Sequence, residues 1–341
     1  MKNCWLPYYH AEIDGLRIRP CCKYEADWLS DLNSYSNADR SEFETVELSK
    51  NCSPCTIENS YKKIKTREFL TMGLGSPKEP RLLSINLVLD NICSNTCLMC
   101  EPAYSSAIGF LLKKQTKVQF NLDTLDTHLD TIRHISILGG EPLQSPNLVK
   151  LCEKLKESKL DSVNILTSLN TCKKDNINAL LSLNTRLNFR VSIDGPHDLN
   201  EWIRGCDKDY WLRSLEEIQK IGTVNWQVTL GNYNIFALTE CLDYLEQTIP
   251  NQNVLPSIVY SPKQCAVAEL PDIIKEQTRI KISSYKTKPN NTYIVRTALE
   301  LLSSAPSLDW NHCKSHIERL PRLRGETVGI EHFIEKYLRI R

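Results

Sequence analysis

Between residues 80 and 262, short apolar runs alternate with stretches of helical periodicity, and no other feature restricts the fold as much. Strands are expected at 82–89, 134–138, 162–168, 187–193, 224–230 and 254–260. Helices are expected at about 103–114 with 122–132, then at 145–158, 174–184, 208–221 and 235–247. A chain that makes a helix between successive strands builds a parallel sheet with helices outside. In such α/β folds the chemistry sits on the loops that leave the C-terminal ends of the strands.

The loop after the first run reads Cys93-Ser-Asn-Thr-Cys97-Leu-Met-Cys100. Three thiolates on one tight loop can hold three corners of a four-iron, four-sulfur cluster. A fourth local cysteine is missing, which leaves one iron open to substrate or cofactor. Zinc suits cysteines at short spacing too, although a structural zinc wants four ligands and this loop supplies three. Buried thiols of the core are the third reading.

Two more strand ends carry motifs. Ile137-Leu-Gly-Gly-Glu-Pro142 closes the second run, and its glycines let backbone approach a ligand or simply make a tight β-to-α turn. Val191-Ser-Ile-Asp-Gly-Pro196 closes the fourth, with Asp198 and Ile203-Arg-Gly205 soon after. Asp194 and Asp198 are open between facing substrate and capping a helix.

The N-terminal stretch reads as a hairpin. Tyr9, Ala11 and Ile13 alternate with polar neighbours, Asp14-Gly15 is a turn signal, and Leu16 and Ile18 continue the alternation. A hairpin brings Cys4 close to the Cys21-Cys22 pair. Cys52-Ser-Pro-Cys55 adds a knuckle before a helical stretch from Glu58 to Leu70. Four cysteines of this kind complete a metal site, and spacing leaves zinc and iron–sulfur equally open.

Composition limits the partners. The chain of 341 residues has 42 basic and 41 acidic side chains, a net charge of +1 that argues for neither nucleic acid nor membrane. Mean hydropathy is −0.34, and no run approaches the ~18 apolar residues that span a bilayer. The N-terminus lacks a signal-peptide core, so a cytoplasmic location is expected. There, clustered cysteines argue for metal rather than disulfides; eight of the 14 fall in the two clusters, and the six beyond residue 100 read as packing residues.

Taken together, the cysteine loop, Gly139–Pro142 and the Val191–Pro196 segment resemble the radical S-adenosylmethionine (SAM) superfamily over roughly residues 80–262. The resemblance implies a partial (β/α)6 barrel at 79–265, preceded by a small cysteine-rich domain at 1–78 and followed by a helical extension at 266–341. It implies a 4Fe-4S cluster on Cys93, Cys97 and Cys100 and a SAM molecule chelating the open iron. Gly139, Gly140, Glu141 and Pro142 would hold the SAM amino group, Ser192 its ribose, and Arg204 its carboxylate, which a guanidinium meets in a fork. Thr167 is a further cofactor candidate, although Leu166-Thr-Ser-Leu-Asn170 stands where the family often has Thr-Asn-Gly. Met99 stands where an aromatic residue often meets adenine, and strand 254–260 would flank it.

Cys4, the hairpin Gly15, Cys21, Cys52 and Cys55 resemble the twitch form of the SPASM auxiliary-cluster domain, placed before the core instead of after it. A second auxiliary iron–sulfur cluster is then implied, with Cys21 preferred over Cys22 because it follows Pro20, as the family's ligand does. The implied activity is reductive cleavage of SAM to a 5′-deoxyadenosyl radical. That radical would take hydrogen from a peptide or small-molecule substrate in an oxidation, cross-link or epimerisation. An electron donor such as flavodoxin or ferredoxin is implied, and no residue is assigned as catalytic. The alternative is a non-enzymatic zinc-binding or iron–sulfur electron-transfer module on a barrel scaffold.

Helices are also expected at 269–286, 292–303, 309–320 and 329–338, where they can cover the barrel's open side or dock on the N-terminal part. His312, Cys313 and His316 share a helical face, as a metal site or, more simply, as an interhelix contact.

Overall fold

In the computed structural model, residues 6–14, 17–21, 27–41, 79–118 and 120–339 are described. The chain forms two compact units, each assembled from separate stretches. The first comprises Met1–Asn91, Lys117–Ile165 and Lys174–Leu187; the second comprises Ile92–Thr116, Leu166–Lys173 and Asn188–Arg341.

The first unit is built on strands β1 (His10–Asp14), β2 (Arg17–Arg19), β3 (Ser84–Val88), β4 (His134–Leu138) and β5 (Ser162–Thr167), ordered β2-β1-β3-β4-β5. The expected hairpin is there: β1 and β2 pair antiparallel, with Glu12 opposite Arg19 and Ile13 opposite Ile18. Its first strand then does something the sequence did not announce. It pairs in parallel with β3, His10 opposite Ser84 and Asp14 opposite Val88. β3–β4 and β4–β5 continue the parallel ladder, with Ile85 opposite Ile135 and Ile135 opposite Val163. Helices α2 (Asn147–Leu155) and α3 (Lys174–Leu181) belong to this unit, as do the 3-10 turns Leu32–Asn37 and Leu122–His128. An α-helix was expected over 122–132. Instead Asn121 accepts the amide of Asp123 and the hydroxyl of Thr124 donates back to Asn121 O, local bonds that favour the tighter turn.

The second unit carries the parallel strands β6 (Arg186–Ser192), β7 (Thr223–Leu230) and β8 (Val254–Ile258), in that order. Along the chain come α1 (Ser106–Leu111), α4 (His197–Arg204), α5 (Lys208–Gln219), α6 (Leu238–Thr248), α7 (Asp272–Ser283), α8 (Thr292–Leu301), α9 (Trp310–Ile317), α10 (Arg319–Leu323) and α11 (Ile330–Leu338). The class is therefore α/β, with the strand–helix succession of a partial (β/α)6 barrel; observed strand limits lie within two residues of the expected ones.

Strands of parallel sheets covered on both faces are apolar throughout. These are not. In β3, Ile85 and Leu87 are buried while Ser84 and Asn86 are half-buried; in β4 the same holds for Ile135 and Ile137 against His134 and Ser136. In β7, Val224, Trp226 and Val228 are buried while Asn225, Gln227 and Thr229 are half-buried. The apolar set meets helices, as when Trp226 stacks on Trp211 of α5 at 6.0 Å. The polar set leaves one face of each ladder able to meet water or ligand.

That polar face has an unusual pair on β1. Burial pushes the Glu12 carboxyl up to about 7, against a hydrogen bond from Asn86 and the charge of Arg19. Burial pushes the His10 imidazole down to about 4, opposed by its bond to Ser84, 2.7 Å away. A carboxyl raised on folding binds its proton more tightly in the folded chain. Stability is therefore lost as pH rises from about 4.5 to about 7, by on the order of 3 kcal/mol at 1.36 kcal/mol per unit. His10, lowered, costs stability in the other direction, as pH falls from 6.5 towards 4. Urea unfolding of Glu12→Gln should lack the loss above pH 4.5 and keep the loss on acidification; a wild-type slope above pH 4.5 would show that Glu12 titrates normally.

Candidate functional site

The cysteine loop lies in the second unit and has little regular structure of its own, so its shape must come from bonds to its surroundings. Two of these use the end of α4: Thr96 N donates to Arg204 O at 3.1 Å and Leu98 N to Ile203 O at 3.0 Å. The last carbonyls of a helix have no amide within it, so they accept from elsewhere. Ser106, in the first turn of α1, bonds both Cys93 N and Cys93 O at 3.1 Å. Ser105, the N-cap of α1, donates to Asn95 O at 2.6 Å, and Asn95 Nδ2 reaches Ser168 Oγ at 2.6 Å. Asn170 reaches Ser94 at 3.0 Å. Small polar residues thus hold the loop from three sides.

Cys93 and Cys97 are buried and Cys100 is half-buried. Burial pushes the Cys97 thiol up, and the Arg204 guanidinium, whose Nη1 is 3.9 Å from Cys97 Sγ, pulls it back. Burial also pushes Cys100 up to about 12. Neither thiol would ionise readily by itself; a cation or metal must supply the stabilisation of the thiolate.

Arg204 is itself buried, with a carboxylate already beside it: Asp194 Oδ2 lies 2.7 Å from Arg204 Nη2. Asp194 Oδ1 accepts Thr229 N at 2.8 Å, and its own amide is bound by Asn200 Oδ1 at 2.9 Å. Burial opposes charge on both partners, and the Asp194 carboxylate keeps Arg204 firmly protonated. Asp194 is neither a helix cap nor an open substrate ligand. Asp198 is exposed, held by Lys336 at 2.6 Å and Tyr337 at 3.3 Å.

In the first unit, Gly139–Pro142 follows β4 and is shaped by Asp90, the second residue after β3. Gly140 N donates to Asp90 O at 2.8 Å. Gly139 has φ +132°, and a Cβ there would overlap Asp90 O, so only glycine fits. Asp90 Oδ2 accepts Ser145 Oγ and, at 2.9 Å, Asn147 Nδ2. Glu141 is buried and turns its Oε1 onto Leu143 N at 3.1 Å, capping the short Pro142–Gln144 turn. Asn176 of α3 donates to Leu143 O at 2.8 Å and Ser145 O at 3.0 Å, locking the turn from the other side.

Of the other residues singled out, Thr167 is buried and its hydroxyl accepts Leu169 N at 3.0 Å, while Ser192 ends β6 half-buried, as is Met99. His312 Nε2 stands 3.2 Å from Gln264 Nε2 and Cys313 is fully buried, an interhelix contact. Cys4, Cys22, Cys52, Cys55 and the 58–70 helix lie outside the described residues; Cys21 is described and half-buried. Sequence reasoning missed Asp90, Asn95, Asn176 and Arg324, whose Nη1 donates to Thr96 O and Oγ1, both at 3.0 Å. The only local signal for Asp90 was an acid directly after an apolar run.

The donor chemistry of the loop fits an iron–sulfur cluster: three thiols within eight residues, a buried guanidinium at one of them, and the buried Asn95 Oδ1 without a hydrogen-bond partner among the described residues. Among the described residues no three Cys, His, Asp or Glu side chains converge as a ligand group.

Residues 87–247 match the family model of the Radical SAM superfamily. No curated protein matches the chain. Among solved structures, native anSMEcpe with bound AdoMet aligns with TM-score 0.41 and 16% identity, over 51% of this chain and 52% of that one. Streptococcus suis SuiB bound to S-adenosylmethionine aligns with TM-score 0.39 and 15% identity, over 60% and 47%. SuiB bound to precursor peptide SuiA gives 0.41 and 16%, over 80% and 58%. The chain spans about half the length of the first of these structures. No helix among the described residues is long and apolar enough to cross a membrane.

Removing one partner of a buried ion pair strands the other charge, at about 3–5 kcal/mol. Asp194→Asn should lose stability of that size in urea unfolding, because among the described residues no other carboxylate pairs with Arg204. A loss below ~1 kcal/mol, the range of an exposed pair, would show that water reaches Arg204.

Proposed function

We propose, from the match of residues 87–247 to the Radical SAM family model, that this chain is a radical SAM enzyme whose 4Fe-4S cluster is held by Cys93, Cys97 and Cys100. The observation that carries the reading is the three-cysteine loop after β3, inside the matching segment and braced at the end of α4. A cluster held there would supply the electron for reductive cleavage of S-adenosylmethionine and so the radical chemistry of hydrogen abstraction.

The chain's own residues bind and orient. Ser105, Ser106 and Asn95 fix the backbone of the loop that carries the three thiols. Arg204 offsets negative charge at Cys97. Its Nε, without a hydrogen-bond partner among the described residues, is the guanidinium nitrogen left for the SAM carboxylate. Gly139, Gly140, Glu141 and Pro142 are assigned to the SAM amino group, the Glu141 side chain acting by shaping the turn. Ser192 is assigned to the ribose, and Thr167 and Met99 to the remaining SAM contacts.

Cys4, Cys21, Cys52 and Cys55 are assigned to a second iron–sulfur cluster of twitch type. The substrate is a peptide or small molecule, the reaction of the maturase or oxidoreductase kind, and the donor a flavodoxin or ferredoxin. Supporting these is the sequence resemblance alone.

Anaerobically reconstituted protein should be brown and release 5′-deoxyadenosine from SAM on reduction. Replacing Cys93, Cys97 and Cys100 together by Ala should abolish that release and leave iron bound through the N-terminal cysteines. Release of 5′-deoxyadenosine by the triple variant would refute the assignment, and stoichiometric zinc with no SAM cleavage in wild type would refute the enzyme.

A further inference from the structure

Arg324 follows α10, outside the segment that matches the family model, and its side chain is only 13% exposed. All three guanidinium nitrogens are used. Nη1 donates to Thr96 O and Thr96 Oγ1, both at 3.0 Å; Nη2 donates to Trp202 O; Nε pairs with Glu326 Oε1 at 2.6 Å. Thr96 precedes Cys97 in the loop, and Trp202 lies in the last turn of α4. One side chain from the C-terminal extension therefore ties the cysteine loop to the helix end that braces it.

A second feature is built around the same junction. Gly205 ends α4 with φ +61°, the left-handed conformation glycine adopts most easily. A Cβ on Gly205 would overlap Thr96 Oγ1 and stand 3.0 Å from Arg324 Nη1. The space that glycine leaves is the space in which threonine and arginine meet. A lysine ammonium, a single point of charge, cannot bond Thr96 and Trp202 together as the planar fork does.

We propose that Arg324 is a positioning residue of the cluster loop. It straps Thr96 to the end of α4 and fixes a positive charge on the residue that precedes Cys97. This rests on the cluster reading above and adds to it a residue of the C-terminal extension. The strap keeps the loop from opening, so it slows loss of the cluster. The charge favours the more negative, reduced state, so it raises the reduction potential.

The test uses the full chain as wild type, Arg324→Lys, Arg324→Gln and Gly205→Ala. Lysine keeps the charge and loses the fork; glutamine loses the charge; alanine at 205 wedges the junction while keeping both the Arg324 fork and its charge in the chain. In loaded protein, iron release to a chelator should quicken about tenfold or more in all three, the scale of one charged hydrogen bond. The potential from an EPR-monitored titration should move negative in Arg324→Gln and stay near wild type in Arg324→Lys, a split that mere loss of packing would not produce. In metal-free protein, alkylation of Cys97 followed by mass spectrometry should quicken in Arg324→Lys and Gly205→Ala. If Arg324→Gln fails to fold, the lysine and Gly205→Ala arms still decide the strap. Wild-type rates of iron release and alkylation in Arg324→Lys overturn the strap, and an unmoved potential in Arg324→Gln overturns the charge. A wild type that takes up no iron on this loop overturns the cluster reading itself, while the alkylation arm still judges the strap.

Discussion

The last turn of α4 ends on carbonyls that no amide within the helix can reach, and the cysteine loop supplies the amides. Thr96 N and Leu98 N close on Arg204 O and Ile203 O, and Arg324 takes Trp202 O. A loop with no ladder of its own gains two fixed points on either side of Cys97 this way. The arrangement has an electrostatic consequence. A helix C-terminus carries partial negative charge, and a thiolate placed against it is disfavoured. Two guanidiniums answer this: Arg204, fixed by Asp194, and Arg324, fixed by Glu326. Both draw the Cys97 titration down against the burial that raises it. The helix end therefore holds the backbone, and the arginines make that position tolerable for negative charge.

In the first unit the Gly-Gly-Glu-Pro turn is built on a different economy. Asp90 and Asn176 hold it from two sides: Asp90 O accepts Gly140 N, and Asn176 donates to Leu143 O and Ser145 O. Gly139 is needed because Asp90 O stands where a Cβ would be. Glu141 spends one carboxylate oxygen on Leu143 N. A residue that looks from its motif like a ligand to a cofactor thus has a structural task first, and any ligand it meets comes to a turn already rigid.

The elements that depend on local pattern were legible in the sequence. β3 to β8 stand out as runs of Ile, Val and Leu, and the helices between them and beyond residue 266 as apolar stripes, so class and succession could be read directly. The cysteine triplet was legible because ligand spacing is a local property. What depended on distant partners was not. The hairpin was visible from Asp14-Gly15, but nothing in β1 names β3, some 70 positions on, as its parallel neighbour. Arg204 was read for its fork, yet the carboxylate it meets within the chain is Asp194, ten residues earlier across a turn, which pattern alone could not select. Arg324 looked like an ordinary helix end, because its meaning lies in Thr96, 228 positions away.

The same division explains why the helical extension could not be assigned a role from its own periodicity. Periodicity reports which face of a helix is apolar, not what the polar residue at its end will find. Trp202 packs on Phe333 of α11 at 5.0 Å and sends its indole N–H to Val328 O at 3.0 Å, so the apolar seam between α4 and the extension brings the backbone into register. That seam sets Arg324 within reach of the loop. Glu318 caps the arrangement by accepting Ile330 N at 3.0 Å while pairing with Arg322. Burial of large side chains fixes the distance, and the directional bonds of Arg324 and Glu318 then set the orientation, since each is too short-ranged to act before the packing is in place. The loop that carries the thiols is held in this sense by residues more than two hundred positions downstream.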